Sequence, residues 1–172
     1  MIVKALDARG IDGNELLSRC GIKPQKLTDP DSRIPVDKIG QLLQVAVAET
    51  GNEAFGLEAG KFICPTTFHA LSMSMWLSSS LKDALLRGVR YGQILSDAGQ
   101  AALVETEHGY VHSIKFESEE REFIQMLQPA AFDALFSGLV TFCRAVYGPD
   151  LAPTHVALVR DTPAEVTPYL EF

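Results

Sequence analysis

The stretch Phe62–Leu95 decides the fold, and it reads FICPTTFHALSMSMWLSSSLKDALLRGVRYGQIL. Two apolar segments with helical spacing, Phe68–Leu77 and Leu81–Leu95, stand on either side of a break of three serines. Ser80 followed by Asp83 has the spacing of a helix N-cap, because the hydroxyl can accept an otherwise unpaired backbone N–H of the first turn. The stretch therefore predicts a pair of helices joined by a turn, with an apolar inner face and a polar outer face.

The residues before this stretch have mostly helical patterns. Residues 2–8 predict a short helix, and Asp12, with a glutamate three positions later, predicts the cap of a second one. This N-terminal pair is expected to be a packing element rather than a lid. A loop rich in Pro and Asp follows. Pro35 then starts a helix that ends at Thr50-Gly51, and a short helix is predicted at 53–60.

The segment 123–147 is the most apolar helical stretch of the chain. Pro129 marks either its start or a kink, since proline lacks the N–H that a helix interior needs. From Ala130 to Tyr147 apolar residues lie nearly all round the helix, which indicates burial on most sides. Gly148-Pro149 is expected to end it.

The second half of the chain also predicts β-structure. Residues 101–107 and 110–117 read as two strands around the dipeptide His108-Gly109, which fits a two-residue turn. Residues 154–159, polar at first and apolar later, are a candidate third strand. The expected fold class is α+β: one helix-rich domain with a small antiparallel sheet of about three strands packed against helices.

The predicted turn also sets the strand register. It places Leu103 opposite Ile114 and Glu105 opposite His112, on one face of the hairpin. A carboxylate beside an imidazole can form a pH-sensitive contact. An exposed cross-strand pair without such a role is the commoner case, and it is the interpretation favoured here.

Composition places the chain among ordinary globular domains. Its 172 residues, 47% of them hydrophobic and 22% charged, suffice for one domain with a buried core. No run of about 18 apolar residues occurs, and the N-terminus is too poor in apolar residues for a signal peptide. Membrane association is therefore not expected. Three cysteines, an odd number without clustering, argue against a disulfide scaffold and suit the cytoplasm.

Charge argues against one class of partner. The formal net charge is −7, and the Lys and Arg residues are scattered rather than arranged in a stripe. Because contact with phosphates requires a basic patch, this segment is not expected to bind nucleic acid itself.

Motifs for catalysis or metal binding do not occur in the sequence. It lacks G-x-S-x-G, the Walker loop, G-x-G-x-x-G and H-E-x-x-H. Its His and Cys residues do not cluster as the four ligands of a structural zinc site do. Cys64 and His69 are five positions apart, but a small buried side chain before Pro65 is a better interpretation of Cys64 than a nucleophile with a base. We therefore predict no catalytic residue, metal or cofactor, and no enzyme.

A set of aromatic, methionine and histidine side chains suits a small-molecule site. Such sites are mostly apolar and carry a few polar groups, although for any one of these residues packing in the core is the commoner role. The histidine is the sharpest candidate, because a polar group on an apolar helix needs a partner and a ligand can be that partner. The predicted effector-binding residues are Phe68, His69, Met73, Trp76, Tyr91 and Met126.

The order of several short motifs resembles a known family. The motifs are Ile34-Pro35, Leu42-Leu43, Ala46, Thr50-Gly51, Phe55-Gly56-Leu57, Gly60, Leu77-Ser78, Ser80-Leu81, Ala84-Leu85 and Tyr91. Together they resemble the arabinose-binding-type N-terminal domain of AraC-family transcriptional regulators, in the subgroup with an α/β domain rather than a cupin-like barrel. Residues 156–172 fit the closing part of that pattern. The sequence departs from it at His69 and Ala70, where the family more often has glycine or a small residue.

The resemblance implies a bacterial, cytoplasmic regulator. Residues 1–172 would form one N-terminal domain that senses a small-molecule effector and forms a homodimer. A pair of helix-turn-helix motifs, expected beyond residue 172, would bind DNA. The last residues read as the opening of another element, so we expect the sequence to be a fragment of a longer protein.

Two other functions remain open at this point. A small enzyme acting on an apolar substrate would be favoured by two titratable residues that meet in a cleft. A dimerisation module without a ligand would be favoured by an exposed apolar helix face and no cavity.

Overall fold

The computed structural model describes residues 1–29, 31–96, 99–116 and 129–172. Residues 1–63 and 129–172 pack with one another and form one unit, named here the helical unit. Residues 64–96 and 99–116 form a second unit, the hairpin unit.

Helices make up most of the regular structure. In chain order they are α1 (Ile2–Ala8), α2 (Gly13–Arg19), α3 (Val36–Thr50), α4 (Phe55–Gly60), α5 (His69–Trp76), α6 (Leu81–Tyr91), α7 (Pro129–Tyr147) and α8 (Thr167–Glu171). Short 3-10 helices lie at Pro24–Leu27 and Gly92–Ile94. Two strands, β1 (Gly99–Thr106) and β2 (Gly109–Phe116), pair antiparallel. The predicted helix-rich α+β class is confirmed.

The N-terminal helix pair is part of the core of the helical unit. The Asp12 carboxylate accepts the backbone N–H groups of Asn14 at 2.9 Å and Glu15 at 3.1 Å, so the predicted cap begins α2. Leu6 and Leu17 are fully buried, which confirms that the pair is a packing element. The buried core consists of Ala5, Leu6, Leu16, Leu17, Cys20, Ile22, Leu42, Leu43, Ala46, Phe55, Ala59 and Ala130.

Two glycines let α4 and α7 approach each other closely. A Cβ atom on Gly60 would lie 2.5 Å from the backbone nitrogen of Gly138, and one on Gly56 would lie 2.7 Å from the Cβ of Asp133. Both distances are shorter than real Cβ contacts. Ser137 donates its hydroxyl to the backbone carbonyl of Gly56 at 3.2 Å, so a buried hydrogen bond also joins the two helices.

The long helix α7 is buried over much of its surface. Phe132 and Phe142 are buried, whereas Leu135 and Tyr147 are exposed at 38% and 74%. By length and composition α7 could cross a membrane, and among the described residues no other helix could. The core helix of a soluble protein meets the same criterion, and the buried residues of α7 pack within the helical unit. The predicted residues 123–128 of this helix lie outside the described part of the chain.

The helices α5 and α6 form the predicted pair and pack against each other. Ser80 accepts the backbone N–H of Asp83 on its hydroxyl oxygen at 3.1 Å, which confirms the predicted cap. The Asp83 carboxylate in turn accepts the hydroxyl of Ser79 at 2.8 Å. Hydrogen bonds from Ser79 and Ser80 lower the pKa of Asp83. Ala84 and Leu85 supply the buried face of α6.

The predicted strand register is wrong by two residues. Leu103 lies opposite His112, and Glu105 lies opposite Tyr110. The Glu105 carboxylate accepts the Lys82 ammonium at 2.9 Å and the Tyr110 hydroxyl at 3.1 Å, and both contacts lower its pKa. The expected facing pair of Glu105 and His112 is therefore replaced by a contact between β1, β2 and α6.

The turn of the hairpin explains the shifted register. Thr106 pairs with Gly109, so the two turn residues are Glu107 and His108 rather than His108 and Gly109. The Thr106 hydroxyl donates to the backbone carbonyl of Gly109 at 3.1 Å, and its oxygen accepts the backbone N–H of His108 at 3.4 Å. This side chain closes the turn one residue earlier than the dipeptide pattern indicates.

The predicted third strand is wrong. Residues 154–159 have no strand structure, and the sheet of the described residues has two strands. Val156 and Val159 are exposed at 55% and 82%, so this segment lacks the buried face that a sheet strand would have. It also belongs to the helical unit, whereas the sheet lies in the hairpin unit.

Candidate functional site

The predicted effector residues lie mainly in the hairpin unit. One short segment along α5 carries four of them: Phe68, His69, Met73 and Trp76. Tyr91 ends α6, which packs against α5. Met73 and Tyr91 are exposed at 44% and 43%, whereas Phe68 and Trp76 are half-buried. Met126 lies outside the described residues. The structure thus places five of them at one pair of helices. That these side chains line a single ligand pocket remains a prediction.

His69 has an unusual backbone conformation. Its φ angle is +49°, and no other residue except glycine has a positive φ in the described part of the chain. A side chain with a Cβ is strained in this left-handed region, and such strain is often found at functional positions. His69 is exposed, so solvent can hydrate its ring nitrogens and a ligand could reach them.

Replacing His69 with glycine is expected to stabilise the protein by about 1 kcal/mol, because glycine adopts a positive φ without strain. Ala70→Gly is the matched control, since the next residue of the same helix should lose about 0.5–1 kcal/mol. Urea denaturation of the two variants measures the difference. If His69→Gly lowers the free energy of unfolding as much as Ala70→Gly does, the backbone at His69 is not strained.

The helical unit contains a buried polar cluster that the sequence analysis did not identify. Asp133 on α7 is 0% exposed, and the side chain of Arg160 is 9% exposed. Asp133 Oδ2 accepts an N–H of Arg160 Nη1 at 2.5 Å and the Tyr169 hydroxyl at 2.7 Å. Asp133 Oδ1 is buried without a hydrogen-bond partner among the described residues. The cluster therefore connects α7 with α8 and the segment before it.

Burial and the charge and hydrogen bonds of Asp133 together shift the pKa values of both Arg160 and Tyr169. Burial opposes the charge of Arg160, but the hydrogen bond and charge of Asp133 outweigh that effect and raise the pKa of Arg160. Burial, together with the hydrogen bond to Asp133, raises the pKa of Tyr169 to about 12. The three groups thus stabilise one arrangement, with Arg160 charged and Tyr169 protonated.

The raised pKa of Tyr169 predicts a loss of stability at high pH. An unfolded tyrosine ionises near pH 10, whereas Tyr169 in the folded protein keeps its proton up to a pKa of about 12. The stabilisation of the folded state by protonated Tyr169 is therefore fully present below pH 10 and is lost as the pH rises toward 12. Urea denaturation between pH 9 and 11.5 should show the Tyr169→Phe variant losing less stability than the natural protein. A difference between the two proteins that stays constant over this range would contradict the assignment.

Further contacts hold the C-terminal segment against the helical unit. Arg144 on α7 donates from Nε to the backbone carbonyl of Leu151 at 2.9 Å, and its guanidinium lies 5.0 Å from the ring centre of Phe172. The backbone N–H of Ala164 donates to Glu53 Oε2 at 3.1 Å. Residues 151–166, although largely without regular structure, are thus fixed at several points.

A cavity of about 180 Å³ lies in the helical unit beside this cluster. Ala130 forms a buried part of its wall, whereas Gln44 and Glu53 are exposed. Its lining residues are Gln44, Val47, Glu53, Pro129, Ala130 and Arg160. Arg160 is therefore shared between the cavity and the buried ion pair. None of the five predicted effector residues that the structure describes lines the cavity.

The cysteines and the possible metal ligands were compared with what nucleophilic and metal sites require. Within residues 1–29, 31–96, 99–116 and 129–172, no three His, Cys, Asp or Glu side chains are grouped to hold a metal ion. Burial raises the pKa of Cys143 to about 11, so its thiol is protonated at neutral pH and is a poor nucleophile. Cys64 is half-buried, and its sulfur accepts the hydroxyl of Thr67 at 3.3 Å.

Comparison with known proteins gives one clear result. The family model described as the arabinose-binding domain of AraC transcription regulator, N-term, matches residues 10–172. This range includes the predicted effector residues, the buried polar cluster and the cavity. No curated protein matches the chain.

Proposed function

Since the chain belongs to the family of N-terminal arabinose-binding domains of AraC transcription regulators, we propose that it senses a small-molecule effector and controls a DNA-binding domain of the same protein. The family match over residues 10–172 is the observation that carries this proposal. The family consists of regulatory domains, so sensing is a better-supported role than catalysis.

The mechanism proposed is a population shift between two conformations of the domain. An effector that binds one conformation more tightly favours it and changes how the DNA-binding domain is presented. A 1:99 ratio becomes 99:1 only if affinities for the two conformations differ by about 10⁴-fold. An effector that binds both conformations equally would have no effect.

We assign the effector site to the residues that the sequence predicts, Phe68, His69, Met73, Trp76, Tyr91 and Met126. Support comes from the exposure of His69, Met73 and Tyr91 and from the strained backbone at His69. A mixture of aromatic, thioether and imidazole groups suits a mostly apolar ligand with one or two polar atoms.

The remaining parts of the proposal follow from the family. DNA contact is assigned to a separate C-terminal domain, in agreement with the net charge of −7 of this chain. A location in the bacterial cytoplasm is included because AraC-type regulators act on DNA inside the cell. A homodimer is included because the resemblance to this family implies one.

A thermal-shift screen of small bacterial metabolites, including sugars, amino acids, amines and fatty acids, tests this function. An effector at 100 times its Kd should stabilise the domain by about 2.7 kcal/mol, which is roughly 5–10 °C in Tm for a domain of this size. Failure of every metabolite to change Tm would count against sensing. A metabolite that is chemically converted, as seen by NMR of the mixture, would favour the enzyme alternative instead.

Once the screen has identified an effector, its affinity for the His69→Gly variant tests the assigned site. Its Kd should rise at least tenfold if His69 contacts the effector, whereas Ala70→Gly should leave Kd nearly unchanged. Equal affinity in both variants would remove His69 from the site and leave the sensing function standing.

A further inference from the structure

The cavity of the helical unit has an apolar wall and a charged rim. Val47, Pro129 and Ala130 form the apolar part, and Gln44, Glu53 and Arg160 contribute polar groups. Its volume of about 180 Å³ exceeds the roughly 150 Å³ in which an apolar protein cavity can hold benzene. A ligand of about six to eight non-hydrogen atoms therefore fits its size.

The charges at the cavity do not balance. Arg160 is already paired with Asp133 through a contact of 2.5 Å. Glu53 takes part in no ion pair among the described residues. Its Oε2 accepts the backbone N–H of Ala164, which leaves Oε1 for another donor. The uncompensated charge at the rim is therefore negative.

We propose that this cavity binds a small organic cation, a primary ammonium group on a short branched hydrocarbon. The ammonium group binds Glu53, and the hydrocarbon packs against Val47 and Ala130. This goes beyond the proposed function, because the cavity lies in the helical unit and, among the residues that the structure describes, none that lines it is assigned to the effector site.

An anionic ligand is disfavoured for two reasons. It would approach the Glu53 carboxylate, which has the same charge. Arg160, the cation at the cavity, already balances the charge of Asp133, so it offers an anion little net attraction. A neutral alcohol avoids both effects, but it forgoes the attraction of Glu53.

The ligand would also be linked to the C-terminal segment. Glu53 holds Ala164 with one carboxylate oxygen and would hold the ammonium group with the other. A ligand that fixes the Glu53 side chain also fixes the acceptor of the Ala164 N–H. Binding is therefore expected to slow hydrogen exchange at the Ala164 amide.

NMR titration with three probes of matched shape tests the proposal: isopentylamine, isopentanol and isovalerate at pH 7 and low salt. The amine should shift the methyl signals of Val47 and Ala130 and bind about two- to fivefold more tightly than the alcohol, as expected for an exposed ion pair. Isovalerate should bind more weakly than either. The preference for the amine should fall in 0.5 M NaCl, where exposed charges are screened.

Glu53→Gln should remove the preference for the amine, because the amide keeps an oxygen for Ala164 but carries no charge. Glu107→Gln, the same change in the hairpin unit, should keep that preference. Isovalerate binding as tightly as the amine, or no shift at Val47 and Ala130, would overturn the proposal. An amine preference that survives Glu53→Gln would do the same. If the Glu53→Gln variant fails to fold, the relative affinities of the three probes for the natural protein still show whether the cavity prefers a cation.

Discussion

Arg160→Met is expected to destabilise the protein by about 3–5 kcal/mol, because it leaves the buried carboxylate of Asp133 without its cation. Methionine keeps much of the apolar stem of arginine, so the loss reports the missing charge rather than a cavity. Urea denaturation gives the free energy of unfolding. This variant should have one of the largest effects of any single substitution in the chain.

Two further variants show that the loss belongs to the ion pair. Asp133→Leu combined with Arg160→Met should recover most of the stability, since replacing a buried pair by apolar residues is often neutral. Arg19→Met removes an exposed ion pair with Glu49 and should change the stability little. If Arg160→Met behaves like Arg19→Met, the buried cluster does not hold the C-terminal segment.

Gly60→Ala should have an effect of similar size, about 3 kcal/mol or more. The added Cβ would lie 2.5 Å from the backbone nitrogen of Gly138 and 2.7 Å from the Cβ of Ser137. Overpacking typically costs about 1–3 kcal/mol, and here backbone atoms on the facing helix would have to move. The measurement is again the free energy of unfolding in urea.

Gly92→Ala is the matched control for Gly60→Ala. Its Cβ would meet no atom within 4 Å, and its φ of −57° suits any residue. This variant should be neutral or stabilised by about 0.4–1 kcal/mol, because alanine restricts the unfolded chain. Equal stability changes at the two positions would mean that α4 and α7 are not closely packed.

Local signals in the sequence were sufficient for much of the helical structure. The caps at Asp12 and Ser80 depend on a side chain and a backbone N–H two or three residues away, so spacing alone identifies them. The hairpin register depended on a finer detail. The Thr106 hydroxyl closes the turn, and a dipeptide pattern does not include that contact.

Long-range contacts could not be predicted in the same way. Asp133, Arg160 and Tyr169 come together only after α7 and the C-terminal segment have packed, and their sequence spacing follows no periodic pattern. That residues 154–159 form no strand has a similar origin, because Val156 and Val159 remain exposed in the helical unit. A polar residue within an apolar helix was the one signal that could have indicated Asp133.

The candidate effector site remains a prediction from the sequence. His69, Met73 and Trp76 lie on α5, as their closeness in the sequence already requires, but the sequence gave no sign of the left-handed backbone at His69. Conformational strain is a property of packed backbone and has no simple sequence signal. The cavity beside Arg160 was missed because its walls come from separate parts of the chain.

Native mass spectrometry tests the central claim, effector sensing, most directly. The purified chain would be measured before and after incubation with the small-molecule extract of bacterial cells. We expect a species heavier than the bare chain by a few hundred daltons, lost on collisional activation, and its mass would indicate the chemical class of the effector. A chain that stays bare under both conditions, as monomer or dimer, would contradict the claim that this domain binds an effector.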